Sequence, residues 1–239
     1  MKVLIDTCSL ISFVRYYLPF DKEGKLLTFL EEQILSKNII VLDKVITECR
    51  HQGKGLVINA LPFLKNAKYK TDSTTLIPRP KFYNLIDNNF VIGSEKNHLN
   101  QAEYQIERDR FLNSTDLALI LYAYNHKDSE TISIVTEETG YSNDGKVFKK
   151  IPEICKSIDI NTMTLPEFFK SSEILDLSVN LTATISYGGV TTTKEFRNII
   201  IKKQNTSGSE TPDLHSYYNS IPLLTNLNRF MEYIDKYSN

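Results

Sequence analysis

The sequence predicts an α/β sandwich built on a mainly parallel β-sheet. Short, wholly apolar runs, which are typical of strands buried on both faces, alternate with segments whose apolar residues recur at helical spacing. This alternation favours a parallel sheet covered by helices. With 239 residues, of which 41% are hydrophobic and 24% charged, the chain is long and apolar enough to fold around a packed core.

The first part of the chain contains two strand–helix pairs. Residues 3–5 form an apolar run that ends at Asp6 and predicts the first buried strand. An apolar stripe within residues 26–35 predicts a helix, and residues 39–42 predict the second strand. Asp43 is expected to cap the helix that follows this strand.

The middle of the chain is less regular before the alternation returns. Residues 61–100 are rich in polar residues and proline, and we expect them to be partly helical. Ser114 precedes an Ala- and Leu-rich helix, and residues 132–135 predict the third strand. A fourth strand is predicted at residues 158–163, between two short helices.

The pattern of apolar and polar residues changes in the last part of the sequence. Residues 177–187 alternate between apolar and polar side chains, and the Gly-Gly pair that follows precedes another extended run, which together predict a β-hairpin. Residues 223–237 predict a closing helix. We therefore expect an α/β domain over residues 1–172 and a C-terminal extension, a β-hairpin plus a helix, over residues 173–239.

Charge and cysteine content bear on the compartment and on partners. Lys and Arg number 28 against 29 Asp and Glu, a formal net charge of -1, which gives no positive indication of a nucleic-acid or membrane partner. No apolar run is long enough to span a membrane, and the N-terminus lacks the apolar core of a signal peptide. The three cysteines match no zinc or redox motif, which favours reduced thiols in a cytoplasmic protein.

Acidic residues follow the predicted strands. Asp6 comes directly after the first strand, Glu48 lies on the helix after the second, and Glu137 and Glu138 follow the third. Asp116 opens the helix that leads into that third strand. Because ligands of parallel sheets bind outside the carboxyl ends of the strands, we expect these acids to converge there. Such a cluster favours a hard divalent cation, Mg²⁺ or Mn²⁺, of the kind that supports phosphodiester hydrolysis.

Each acid also has a purely structural interpretation when it is taken alone. Asp116 is a suitable helix cap, Glu48 could be a solvated helix residue, and the two glutamates after the third strand could be surface acids. Residues 140–147 resemble the motif of a phosphate-binding loop, but Val147 replaces the Ser or Thr that must bind Mg²⁺. The constellation of acids, and not any single one, therefore favours a site.

Several segments resemble the motifs of PIN-domain nucleases. Residues 3–11 (VLIDTCSLI) are similar to the opening strand with its Asp, and residues 41–48 (VLDKVITE) to the second motif with its helical Glu. Residues 115–120 (TDLALI) resemble the third motif, and residues 135–138 (VTEE) the fourth, with Glu in place of its usual Asp. The resemblance covers residues 1–170 and implies a three-layer α/β/α sandwich with a mainly parallel central sheet.

The resemblance implies a metal-dependent endoribonuclease that leaves 5′-phosphate and 3′-hydroxyl ends. It assigns Asp6, Glu48, Asp116 and Glu138 as the catalytic residues that hold one or two Mg²⁺ or Mn²⁺ ions. Glu137 is the alternative to Glu138.

Polar neighbours of these acids are expected to orient them. They are Thr7, Ser114 and Thr136. Cys8 stands where PIN-domain proteins usually have Ser or Asn, and we expect this change to remove a hydrogen bond to Asp6.

The resemblance also implies partners. RNA is the expected substrate, and an antitoxin or other inhibitory protein is expected by analogy with the toxins of toxin–antitoxin pairs; a homodimer is a further expectation. Two alternatives stay open: a PIN-like fold that binds protein or nucleic acid without catalysis, and a nuclease specific for DNA flaps or other DNA structures.

Overall fold

The chain folds as a three-layer α/β/α sandwich around a four-stranded, all-parallel sheet. The computed structural model describes residues 2–140 and 145–172, together with the backbone of residues 181–187 and 190–196. The sheet contains β1 (Lys2–Ile5), β2 (Ile39–Ile40), β3 (Ile132–Val135) and β4 (Asn161–Met163), in the order β2-β1-β3-β4. The predicted fold class is thus confirmed.

Helices connect and cover the strands. They are α1 (Thr7–Ser12), α2 (Lys25–Leu35), α3 (Asp43–His51), α4 (Leu56–Ala60), α5 (Pro80–Asn89), α6 (Gly93–Asn97), α7 (Gln101–Leu112), α8 (Thr115–His126), α9 (Ile151–Ser157) and α10 (Leu165–Ser171). A π-helical turn, Phe13–Tyr17, extends α1. None of the helices in the described part of the chain has both the length and the apolar character needed to cross a membrane.

The two central strands form the middle of the core. Every residue of β3 is buried, as are residues 3–5 of β1. The two strands pair in parallel from Lys2 opposite Ile132 to Ile5 opposite Val135. Burial on both faces explains why residues 3–5 of β1 and all residues of β3 except Ser133 are apolar. Their carboxyl ends consequently lie side by side at one edge of the sheet.

Three predicted boundaries are wrong in detail. The second strand ends at Ile40 and not at residue 42. The fourth strand begins at Asn161 and not at residue 158, because Asp159 has a φ of 55°, a left-handed conformation that interrupts an extended chain. Asp43 is the first residue of α3 and not its cap; its Oδ1 accepts hydrogen bonds from the backbone N–H groups of Lys44 and Ser73. The Asp43 carboxylate therefore joins α3 to the loop that precedes α5.

The predicted hairpin is present. Strands β5 (Leu181–Tyr187) and β6 (Val190–Phe196) pair antiparallel, with Tyr187 opposite Val190. The closing helix predicted at residues 223–237 lies outside the described residues. The boundary proposed at residue 172 stays a prediction.

Candidate active site

The predicted acids gather where the two central strands end. Asp6 follows β1 directly, and Thr136 follows β3 directly. The backbone N–H of Asp6 donates to the carbonyl of Val135 over 3.0 Å, which continues the sheet ladder by one more bond. This pairing fixes the position of Asp6 at the carboxyl edge of the sheet, as expected for a ligand site in a parallel α/β fold.

Asp6 is the most deeply buried acid of the site, with only 5% of its surface exposed. Its Oδ1 accepts from the backbone N–H of Thr7 over 2.6 Å and so caps α1. Its Oδ2 accepts from the Cys8 thiol over 2.8 Å and from the Thr136 hydroxyl over 3.1 Å. Burial raises the pKa of Asp6 and the charge of Glu138 adds to this, while the three donors act in the opposite direction.

Cys8 corrects the expectation that a hydrogen bond to Asp6 is lost. The Cys8 thiol itself donates to Asp6, and its Sγ accepts from the backbone N–H of Glu137 over 3.3 Å. Burial, together with the charge of Asp6 and the hydrogen bond to it, raises the pKa of Cys8 to about 12. Cys8 thus remains a protonated donor that links the ends of β1 and β3.

Glu48 lies on the second turn of α3, with both carboxylate oxygens engaged. Oε2 accepts from the Thr7 hydroxyl over 2.8 Å, and Oε1 accepts from the Gln52 side-chain amide over 2.6 Å. The expected orienting role of Thr7 thus corresponds to a direct hydrogen bond. Gln52 was not predicted; its position four residues after Glu48, one helical turn on, is the signal that could have identified it.

Asp116 is the acid whose pKa responds to the charges of the other three. Burial is the largest cause that raises its pKa, to about 7, and the negative charges of Asp6, Glu138 and Glu48 act in the same direction. The positive charge of Lys146 opposes them. The charges of the four predicted acids therefore interact, as expected for carboxylates gathered at one edge of a sheet.

Ser114 holds the helix that carries Asp116. Its hydroxyl accepts from the backbone N–H of Leu117 over 3.1 Å and donates to the carbonyl of Phe111 over 2.7 Å. These bonds make Ser114 the cap of α8. Ser114 therefore positions Asp116 through the helix backbone.

Glu137 and Glu138 have different surroundings. The Glu137 carboxylate accepts from the backbone N–H of Leu165 over 2.7 Å, at the first residue of α10. The Glu138 carboxylate accepts from the backbone N–H of Ile151 over 3.1 Å, and its charge raises the pKa of both Asp6 and Asp116. Glu138 is therefore the glutamate whose charge acts on the acid cluster.

The donor set of this cluster suits a hard cation. Carboxylate oxygens are the ligands that Mg²⁺ and Mn²⁺ prefer, and a cation would offset both the burial and the negative charges that raise the pKa of Asp116. Over residues 2–140 and 145–172, however, no three His, Cys, Asp or Glu side chains already lie close enough together to hold one ion. Metal binding would therefore draw the carboxylates closer together.

A family assignment covers this whole region. The DUF4411 domain, described as a domain of unknown function, matches residues 3–175. The chain belongs to the DUF4411 family. The matched residues run from β1 through α10, so all four acids lie within the DUF4411 domain. No curated protein and no solved structure is significantly similar to the chain. The resemblance of this DUF4411 domain to PIN-domain nucleases stays a prediction.

Proposed function

We propose that the chain is a metal-dependent endoribonuclease. The observation that carries the proposal is the gathering of four acids at the carboxyl edge of a parallel sheet, where burial first, and then the charges of Asp6, Glu138 and Glu48, raise the pKa of Asp116. Carboxylates that repel one another in a desolvated site are characteristic of places where a cation or a proton is held. The resemblance to PIN-domain nucleases supports the same assignment.

Four carboxylates would hold Mg²⁺ or Mn²⁺ in this proposal, namely those of Asp6, Glu48, Asp116 and Glu138. The chemistry that such an ion supplies is activation of water and stabilisation of charge on the phosphodiester. Asp6 is fixed by its three donors and serves as the rigid member of the set. Asp116 would serve as a ligand only in its deprotonated form, so cation binding would compete with the proton on its carboxyl group.

The biological setting belongs to the same proposal. We propose a cytoplasmic enzyme, a setting consistent with the free thiols of Cys8, Cys49 and Cys155. By analogy with small PIN-domain toxins, the chain would act on cellular RNA and be restrained by an antitoxin or another inhibitory protein. A homodimer is a separate part of the proposal, for which residues 173–239 are the candidate segment.

The test is a cleavage assay with labelled RNA, single-stranded DNA and DNA flap substrates in Mg²⁺ or Mn²⁺. We expect RNA cleavage by the wild type, none without divalent metal, and a loss of at least about a hundredfold in Asp6→Asn and in Asp116→Asn. Asp128→Asn removes an exposed carboxylate outside the cluster and is the matched control. Circular dichroism spectra that match the wild type would show that the variants are folded.

The separation of the carboxylates favours a second candidate, a PIN-like fold that binds without cleaving. Absence of cleavage by the wild type in any metal, or undiminished cleavage by both Asp→Asn variants, would refute the nuclease proposal. Cleavage confined to the DNA substrates would instead identify a DNA nuclease that uses the same acids.

A further inference from the structure

A groove lies beside the acid cluster, along the exposed side of α3. It has a volume of about 260 Å³. One wall contains Lys44, Thr47, Glu48 and His51 of α3, and the facing wall contains Asn113 and Thr115 at the start of α8. We refer to this cavity as the α3 groove. Of the residues that line the α3 groove, only Glu48 belongs to the four acids that the proposed chemistry uses.

The α3 residues of the groove lie on one helix face. Lys44, Thr47, Glu48 and His51 are separated by three, one and three positions, the spacing that puts side chains on the same side of a helix. Glu48 belongs both to this face and to the acid cluster, where its charge acts on Asp116. The α3 groove therefore adjoins the proposed catalytic centre.

The groove offers two groups suited to a nucleotide. The Lys44 ammonium has three N–H donors, and one of them binds the Asn113 carbonyl over 3.1 Å, which places the positive charge between the two walls. His51, an exposed residue of the last turn of α3, presents an aromatic ring that can stack on a base. Asp43, the remaining acid of the lining, is engaged by the backbone N–H groups of Lys44 and Ser73.

We propose that the α3 groove binds one nucleotide of a single-stranded substrate next to the cleaved phosphodiester, with Lys44 on a phosphate and His51 stacked on the base. The proposal rests on the proposed nuclease function, because it is Glu48 that brings the groove to the catalytic centre. The volume is slightly below the ~300–1,000 Å³ of typical small-ligand pockets, a size that suits one nucleotide. RNA and single-stranded DNA share the recognised chemistry.

Binding without cleavage tests this proposal separately from catalysis. In the full chain carrying Asp116→Asn, fluorescence anisotropy would measure the affinity for labelled single-stranded RNA and for DNA of the same sequence. We expect Lys44→Ala and His51→Ala each to raise Kd about fivefold or more. His98→Ala and Lys156→Ala, at exposed positions outside the groove, are the matched controls and should change Kd less than about twofold.

Two further measurements distinguish direct contact of Lys44 and His51 with the oligonucleotide from a general loss of positive charge on the protein. Lys44→Ala should reduce the slope of log Kd against log salt by about 0.7, as expected for one phosphate contact on a single strand, while His51→Ala leaves it unchanged. His51→Phe should restore affinity because it retains a stacking ring. Stronger effects on RNA than on DNA would assign the groove to RNA, and equal effects would assign it to single strands of either kind.

The outcomes also distinguish this proposal from the nuclease proposal. If Lys44→Ala and His51→Ala bind both oligonucleotides as tightly as the controls do, the groove proposal is wrong, even if the wild type cleaves RNA. If both variants lose affinity while the wild type never cleaves, the groove assignment stands and the nuclease assignment fails.

Discussion

Asp6 shows how single residues determine the character of the site. A carboxylate that is 5% exposed would ordinarily be costly to keep charged, but three donors converge on it, two from α1 and one from the residue directly after β3. Two of these donors, Cys8 and Thr136, are separated by 128 positions in the chain. The hydrogen bonds of Asp6 therefore favour its ionised form and also connect α1 to the end of β3.

Cys8 provides a prediction at this scale. Cys8→Ala removes a donor from the buried Asp6 carboxylate, and we expect it to lower the free energy of unfolding by about 1 kcal/mol. Metal-dependent cleavage should fall about tenfold, since residues that orient metal ligands have effects of this size. Urea unfolding and cleavage rates would measure the two effects.

Cys8→Ser is the control for that experiment, because the Ser hydroxyl retains a donor of similar size. We expect it to keep most of the stability and activity. Equal losses in Cys8→Ser and Cys8→Ala would contradict a role for the thiol as a donor to Asp6.

The sequence identifies the acids more readily than it identifies their hydrogen-bonding partners. Asp6 and Glu138 stand at the ends of apolar runs, and that pattern is visible in one dimension. The contacts of Cys8 with Glu137 and of Gln52 with Glu48 depend on backbone geometry and on the pairing of distant strands. No local pattern around Cys8 distinguishes a thiol that supports a carboxylate from a thiol that fills the core.

At the scale of elements, the two adjacent glutamates that follow β3 have different roles. Glu137 holds the first residue of α10, whereas Glu138 acts on the acid cluster. We expect Glu138→Gln to abolish cleavage and to leave the fold intact. Glu137→Ala should retain cleavage and lower the free energy of unfolding by about 1 kcal/mol, because α10 loses an acceptor at its N-terminus.

Parallel assays of cleavage and urea unfolding on both variants would check this division of roles. A loss of cleavage in Glu137→Ala with full activity in Glu138→Gln would reverse the assignment.

The elements differ in how well the sequence predicts them. Strands β1 and β3 and helix α8 have continuous or periodic apolar residues, and they were predicted close to their observed bounds. Helix α7 was not predicted, because only Tyr104 and Phe111 of its 12 residues are buried and its apolar periodicity is weak. A capping box formed by Asn100 and Glu103 begins this helix. The capping box is visible in the sequence, but no periodic apolar residues follow it to indicate a helix.

At the scale of the whole molecule, the acid cluster couples stability to pH. The pKa of Asp116 is raised from 3.8 to about 7 in the folded chain, so the folded state binds more protons than the unfolded state between these values. The contribution of Asp116 to stability is therefore greatest below the unfolded pKa and is lost as pH rises through about 7. The expected loss in the free energy of unfolding is on the order of 2–4 kcal/mol.

Urea unfolding over a range of pH without divalent metal would measure this loss. Asp116→Asn should flatten the decline, whereas Asp128→Asn, at an exposed position, should leave it unchanged. Added Mn²⁺ should stabilise the wild type more above this pKa than below it, because binding requires ionised carboxylates. A wild-type stability that does not fall with pH in this range would show that Asp116 is not held protonated.

The pairing of β1 with β3 has a consequence for the order of events during synthesis. Lys2 lies opposite Ile132, so the central pair of the sheet closes only after more than half of the chain has been made. Contacts of such sequence separation form late in folding. A nascent chain carries Asp6 and Glu48 long before it carries Asp116 and Glu138. The four acids are therefore assembled only on a nearly complete DUF4411 domain, and under the proposed function an unfinished chain would lack part of its metal site.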